Sequence, residues 1–178
     1  MGVEPGTHIM RQFAIYHSAL LVAVVLLVSA CELDSRADSD YEMLRGEWQV
    51  EHLAAEGESQ TGVLNNRYSG DVTFTFTEDG STGNRSMSMY GNRQGDSDLD
   101  LQSSLTLTSG NSFMISIPDT SGTSDFIIGY DFDDSDQVVL TANPPYGYGL
   151  LSELLGSSQY VDPTVQVTLE RAGVDTTE

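Results

Sequence analysis

The sequence contains no lysine, one cysteine and one tryptophan, and it carries little positive charge of any kind. Seven arginines stand against 27 acidic residues, so the formal net charge is -20 at pH 7. A surface of this charge repels nucleic acid and anionic lipid headgroups, which argues against nucleic acid as a partner. The composition is typical of proteins from halophilic bacteria, because acidic surfaces keep proteins soluble at high ionic strength; an ordinary acidic surface protein is the alternative.

Residues that perform catalysis are also scarce. His8 and His17 lie in the N-terminal segment, which leaves His52, and we interpret it as an ordinary residue of the first strand. A Cys/His pair is excluded because the chain has no cysteine besides Cys31. No serine lies in a nucleophile-elbow motif, and no glycine-rich phosphate loop follows a strand. We therefore expect no enzyme activity, no cofactor and no catalytic residue.

Two acidic stretches suggest calcium sites, but their spacing does not support them. An EF-hand loop requires glycine at its sixth position and glutamate at its twelfth. Neither residue is present at those positions after Asp96 or after Asp131. We expect no metal site, and at residues 133–136 a solvated acidic turn is favoured over a loose calcium site.

The one long apolar run covers residues 19–28 and is followed directly by the small residues Ser29 and Ala30 and then Cys31. The run is too short to span a bilayer, which takes about 20 residues, but it matches the apolar region of a signal peptide, about 7–15 residues. With Val28, these three residues resemble the bacterial lipobox. The resemblance implies that residues 1–30 are a lipoprotein signal peptide. It also implies that Cys31 carries the lipid by which the mature protein is attached to a membrane.

The residues around this segment refine the prediction. Residues 1–9 contain no arginine or lysine, whereas Met10 is followed by Arg11, so Met1 and Met10 both stay open as the start. Glu32 is not the aspartate that retains enterobacterial lipoproteins in the inner membrane. We therefore expect the cell envelope, at the outer membrane, in either the periplasmic or the surface leaflet. Residues 31–40 are too polar to fold and predict a flexible acidic tether.

The remaining sequence alternates apolar and polar residues with a period of two and shows almost no helical periodicity. Short turns favour antiparallel pairing of consecutive strands, and eight strands can close into an up-and-down barrel. We predict this all-β barrel within residues 41–172, followed by a disordered tail at 173–178; a β-sandwich is the alternative architecture. The predicted strands are 46–55, 70–78, 82–90, 98–108, 112–117, 124–132, 137–142 and 164–171.

Three segments of this domain resemble the lipocalin-like domains of bacterial lipoproteins. Residues 44–50 read L-x-G-x-W-x-V, residues 74–81 read FTFTEDGS, and residues 167–171 read VTLER. The resemblance implies a calycin-type barrel with a short helix before the last strand. The candidate for that helix is residues 150–155, after an aromatic, glycine-rich loop at 144–149.

The resemblance also assigns roles at one end of the barrel. It implies that Gly46 lets the chain enter the first strand and that Trp48 plugs the closed end. It further implies that Arg171 packs over the indole of Trp48, a contact worth about 0.5–2 kcal/mol.

Apolar side chains on the inward faces of the predicted strands are the remaining feature that could indicate a function. A barrel of this size either holds one small ligand or is filled by its own side chains, and both alternatives stay open. We expect the open end among the loops at 56–69, 91–97, 118–123 and 143–160. The candidate cavity-lining residues are Phe74, Phe76, Met87, Met89, Phe113, Ile115, Tyr130 and Leu140.

Two functions are consistent with this pattern. The first is a lipoprotein that binds a small apolar or amphipathic ligand at the cell envelope. The second is a non-enzymatic envelope protein with a filled barrel, which contacts or inhibits a protein partner. An enclosed apolar pocket of about 300 Å³ or more would favour the first function, and a packed interior would favour the second.

Overall fold

The computed structural model describes residues 38–95, 97–108, 110–119, 122–156 and 160–173. The chain divides into two compact units, Met1–Ser39 and Asp40–Glu178. The predicted signal peptide, its lipobox and Cys31 lie outside the described residues, as do residues 31–37 of the tether and residues 174–178 of the tail.

The second unit is built from antiparallel strands in which, apart from the short β2, each strand pairs with the next. The described strands are Gly46–Ala55 (β1), Glu58–Ser59 (β2), Thr73–Glu78 (β3), Arg85–Gly91 (β4), Leu99–Thr108 (β5), Ser112–Asp119 (β6), Gly122–Phe132 (β7), Gln137–Ala142 (β8) and Val165–Arg171 (β9). The order in the sheet is β2-β1-β3-β4-β5-β6-β7-β8-β9.

Pairing of the first long strand with the last closes the sheet into a barrel. β1 pairs with β9 from Trp48 opposite Arg171 to Ala55 opposite Val165, with a bulge between Val50 and His52. β2 is a two-residue extension that folds back on the end of β1. The predicted eight-stranded antiparallel barrel is therefore confirmed, and the β-sandwich alternative is wrong.

Period-two alternation decides which side chains fill the barrel. Phe74 and Phe76 are buried, whereas the threonines that alternate with them on β3 are partly or fully exposed. The one polar side chain among the buried residues described is Ser103, whose hydroxyl donates to the carbonyl oxygen of Met87 at 3.0 Å. That bond explains how a serine is accommodated on the inward face of β5.

The turn between β3 and β4 is longer than the sequence predicts. Both predicted strands, 70–78 and 82–90, begin three residues too early. The carboxylate of Asp79 accepts the backbone N–H of Ser81 at 2.8 Å, and its carbonyl oxygen accepts the N–H of Gly83 at 2.7 Å. These bonds hold residues 82 and 83 in the turn. Hydrogen bonds to the carboxylate, chiefly those from Ser81, lower the pKa of Asp79.

The described residues include three helical segments beside the strands, and the sequence predicts only one of them. Residues 38–44 (α1) are helical and include the last three residues of the predicted tether. Thr61–Arg67 (α2) lies in a predicted loop. Tyr146–Leu155 (α3) contains the predicted helix but begins four residues earlier, so the prediction of a loop at residues 146–149 is wrong.

The early start of α3 has a packing cause. Glycine disfavours a helix, but a Cβ at Gly149 would overlap the ring of Phe126 on β7, so the helix approaches the barrel as closely as it does because no side chain is there. No helix in the described ranges is long and apolar enough to cross a membrane.

Candidate functional site

The barrel end at which β1 begins is closed by α1 and by the sole tryptophan. Gly46 has a φ of 124°, a conformation that favours glycine, at the entry to β1. Trp48 is completely buried, and its indole N–H donates to the carbonyl oxygen of Leu44 in α1 at 2.6 Å. Tyr41, also in α1, is buried and donates its hydroxyl to the carbonyl oxygen of Thr77 at 2.6 Å. α1 is therefore bonded to both the first and the second long strand.

Arg171 contacts both Trp48 and α1 at this end of the barrel. Its guanidinium carbon lies 4.3 Å from the centroid of the Trp48 ring, as the lipocalin resemblance implies. Two of its nitrogens donate to the carbonyl oxygens of Met43 at 2.7 Å and Arg45 at 3.2 Å. Met43 lies in the last turn of α1 and Arg45 directly follows it, where a helix leaves its last carbonyl groups without intrahelical partners. One side chain thus covers the indole and caps the helix above it.

A second arginine at this end, Arg85, packs over the ring of Tyr41. The guanidinium carbon of Arg85 lies 4.4 Å from the centroid of the Tyr41 ring, and Arg85 also forms an ion pair with Glu78 at 3.0 Å. Burial raises the pKa of Tyr41 above its usual 10.0, although the charge of Arg85 opposes that effect. The tyrosine therefore stays neutral throughout the physiological pH range.

The opposite end, which the sequence predicts to be open, is covered by α2 and α3. The leucines of both helices that face the barrel are buried: Leu64, Leu150, Leu151, Leu154 and Leu155. The predicted loops 56–69 and 143–160 thus contain the two helices that close this end. The β6–β7 hairpin is also at this end, with residue 119 paired to residue 122, and its tip at 120–121 lies outside the described residues.

Side chains from α2, from the residue directly after it and from the β4–β5 loop hold the C-terminal end of α3. Arg67 donates to the carbonyl oxygen of Leu155 at 2.6 Å, and the hydroxyl of Tyr68 donates to that of Leu154 at 2.7 Å. Arg93 donates to the carbonyl oxygen of Glu153 at 3.1 Å. Three consecutive carbonyls at a helix end are thereby satisfied, as the carbonyls of α1 are at the other end of the barrel.

The interior between the two ends is filled. Seven of the eight candidate cavity-lining side chains have at most 1% of their surface exposed, and Tyr130 has 6%. Phe113 lies between two rings, with centroid distances of 5.8 Å to Phe76 and 6.0 Å to Tyr130. A cavity able to hold a ligand would leave accessible surface on the side chains that line it. These eight residues therefore form a packed core.

The other polar candidates from the sequence do not form a site. His52 is exposed, and its Nδ1 lies 3.0 Å from the hydroxyl of Thr61. In the acidic turn at 133–136, a carboxylate oxygen of Asp134 accepts the backbone N–H of Asp136 at 2.7 Å. Within the described ranges, no group of three or more His, Cys, Asp or Glu side chains could hold a metal ion.

One stretch of the barrel wall is incompletely paired. β5 pairs with β4 over residues 99–105, but with β6 only over residues 104–108. β6 pairs with β7 over its whole length, to residue 119. Residues 99–103 of β5 therefore do not pair with residues 117–119 of β6. We call the gap between these two segments the seam. On β6 it begins one residue before Pro118, which has no N–H to donate to a ladder.

A cleft of about 380 Å³ lies along the seam. Its apolar residues are Leu99 and Ile117, which are buried, and Leu101, which is partly exposed. Its polar residues are Arg93, Asp98, Asp100, Gln102 and Glu153. Sequence reasoning missed the seam because alternation within β5 and within β6 does not show whether the two strands pair with each other. Pro118, inside the observed β6, is the one signal that could have indicated it.

No family model and no curated protein matches the chain. Among solved structures, a redesigned β-barrel is 12% identical to the chain, covers 74% of it and 93% of its own length, and gives a TM-score of 0.43. A structure of EF1p2_mFAP2b bound to DFHBI is 13% identical, covers 73% of this chain and 94% of its own, and gives a TM-score of 0.38. At these scores the likeness carries no conclusion about function.

Proposed function

We propose that the protein is a lipoprotein of the bacterial cell envelope, without enzymatic activity, that works by contacting another molecule at the outer surface of its barrel. The observation that carries this proposal is the filled interior. Phe113 and its aromatic neighbours occupy the space that a lipocalin-like carrier would leave for its ligand. With both ends closed by helices, the surface is left as the place where binding occurs.

The anchor is part of this proposal. We propose that the chain is cleaved before Cys31, lipidated there and directed to the outer membrane. The acidic residues after Cys31 would keep the barrel away from anionic headgroups, because like charges repel. The likeness of Gly46, Trp48 and Arg171 to the lipocalin-like lipoproteins supports the same origin for the domain.

Substitution of the anchor residue tests the location. In the native host, we expect the wild-type protein to fractionate with outer membranes and to carry the mass of two or three acyl chains. The variant Cys31→Ser should be found in the soluble fraction without that mass, while Ser29→Thr, next to the cleavage site, keeps a small residue and serves as the control. Membrane association of Cys31→Ser with an unchanged acyl mass would contradict the lipoprotein proposal.

Binding of a small apolar or amphipathic ligand is the second candidate function, and the seam is the observation that favours it. Its cleft of about 380 Å³ includes three apolar side chains and lies within the usual range for ligand pockets, about 300–1,000 Å³. Native mass spectrometry of the protein purified from its own host separates the two candidates. A retained small molecule, seen as added mass in the folded protein, would support the second candidate, and its absence would support the first.

A further inference from the structure

We infer that the seam is a docking site for an extended segment of a partner protein, which adds a strand to β5 and carries alternating apolar and basic side chains. This inference rests on the proposed function as a surface-binding protein and adds the chemistry of the partner.

The backbone supplies the first argument. Residues 99–103 pair with β4 on one side and have no strand partner among the described residues on the other. In an antiparallel strand, successive residues direct their N–H and C=O groups to opposite sides, so two or three of these five residues direct them into the seam. Five residues of strand extend for about 17 Å. An incoming segment of five or six residues can bond to this row as strand-addition ligands do in other domains.

The apolar residues of the cleft supply the second argument. Leu99, Leu101 and Ile117 line the cleft next to the unpaired stretch of β5. Because side chains alternate along a strand, every second residue of an added segment would face these side chains. Leu101 is the member that remains partly exposed, which leaves apolar area for the segment to cover.

Charge supplies the third argument. Asp98, Asp100 and Glu153 line the cleft, and Arg93 is the one cation among its described residues. The Arg93 guanidinium already donates to the carbonyl oxygen of Glu153 and lies 5.9 Å from the Tyr68 ring centroid. The cleft is therefore net negative, and the charge of the whole chain would attract a basic partner towards it.

A protein segment fits these three features better than a small apolar molecule does. A small apolar molecule would cover Leu101 but would leave the N–H and C=O groups of β5 without partners, whereas a strand satisfies both. The carboxylates of the cleft also complement lysine or arginine, and they do not complement a fatty acid.

Designed peptides test the inference on the whole protein. The probe is a fluorescent six-residue peptide of alternating valine and lysine, and its binding is followed by fluorescence anisotropy. Two further versions carry N-methyl groups, on all valines or on all lysines. One set of amides faces β5, so we expect one N-methylated version to bind at least about tenfold more weakly. Equal affinity of all three peptides would overturn strand addition.

Hydrogen exchange locates the bound peptide. Amides within residues 99–103 should exchange faster than those of 104–108 in the free protein, and the peptide should slow them. Protection that appears elsewhere, with residues 99–103 unchanged, would overturn the assignment of the site.

Matched charge variants test specificity. The triple variant Asp98→Asn, Asp100→Asn, Glu153→Gln should weaken binding of the lysine peptide by about fivefold to tenfold, since each exposed ion pair contributes a modest amount. The control neutralises three exposed acids outside the cleft, Asp125→Asn, Asp133→Asn and Asp134→Asn, and changes the net charge equally. It should leave the affinity within about twofold. An equal loss in both triple variants would overturn a specific site, because general attraction would then explain the binding.

The outcome also separates this inference from the proposals before it. If oleate binds the cleft and the peptides do not, the inference is overturned and the small-ligand function gains. If the peptide binds as expected while Cys31→Ser stays in the membrane, the docking site stands and the anchor proposal fails.

Discussion

Replacement of Arg171 by alanine should destabilise the protein by about 3 kcal/mol. Loss of the contact with Trp48 accounts for about 0.5–2 kcal/mol. The two bonds to carbonyl oxygens at the end of α1 contribute about 1 kcal/mol each, below the usual range for charged donors, because the side chain is 28% exposed and water replaces part of each bond. The ion pair with the half-exposed Asp136, at 3.7 Å, adds at most about 1 kcal/mol.

The assay is urea denaturation followed by the fluorescence of the sole tryptophan, which lies under Arg171. Arg171→Lys keeps the charge but cannot cover the indole and reach both carbonyls, so it should recover less than half of the loss. Arg45→Ala is the matched control, since Arg45 is 53% exposed and its ion pair with Glu42 spans 3.6 Å. We expect that control to stay within about 0.5 kcal/mol of wild type. A loss below about 1 kcal/mol for Arg171→Ala, or an equal loss for Arg45→Ala, would refute the reasoning.

Two further predictions concern glycine and pH. Gly149→Ala should lower the thermal midpoint, because its Cβ would overlap the ring of Phe126. Gly62→Ala in α2, where a Cβ meets open space, should instead stabilise the protein by up to about 1 kcal/mol. The opposite order of the two midpoints in calorimetry would contradict the packing of α3. The pKa of Tyr41 is raised in the folded protein, so its contribution to stability is complete below the unfolded pKa of about 10 and is lost as the pH rises through the folded value. Urea midpoints measured from pH 9 to 11.5 should therefore fall more steeply for wild type than for Tyr41→Phe, and parallel curves would show that Tyr41 is not the group responsible.

The strands of the barrel could be predicted from the sequence because one rule, the alternation of side chains between the two faces of a strand, applies to all of them. Alternation on β3 and β8 places every second side chain in the core. The short turns between strands favour pairing of each strand with the one that follows it. The contact between Arg171 and Trp48 was accessible through a family resemblance, since neither residue alone indicates a partner so far along the chain.

The helices at the barrel ends could not be predicted in the same way. The described part of α1 starts with acidic residues that show no apolar stripe, and it is held in place by the carbonyl bonds of Arg171 and by the burial of Tyr41 and Leu44. α3 contains two glycines that disfavour a helix, and its packing on Phe126 overrides that local preference. Tertiary contacts make both segments helical, and the local sequence pattern does not reveal such contacts. The seam was missed for a related reason, because pairing between strands is a property of two segments.

The arginines at the two barrel ends have a consequence for the response of the fold to salt. Arg67, Arg93 and Arg171 direct their guanidinium groups mainly to carbonyl oxygens and aromatic rings. Such ion–dipole attractions act over a few ångströms between partly buried groups, where dissolved ions do not intervene. Repulsion among the exposed carboxylates is long-ranged, and it weakens as the Debye length falls from about 8 Å at 0.15 M salt to about 3 Å at 1 M. Salt therefore removes a term that opposes folding and leaves intact the contacts that hold the ends, so the barrel should become more stable as the ionic strength of its surroundings rises.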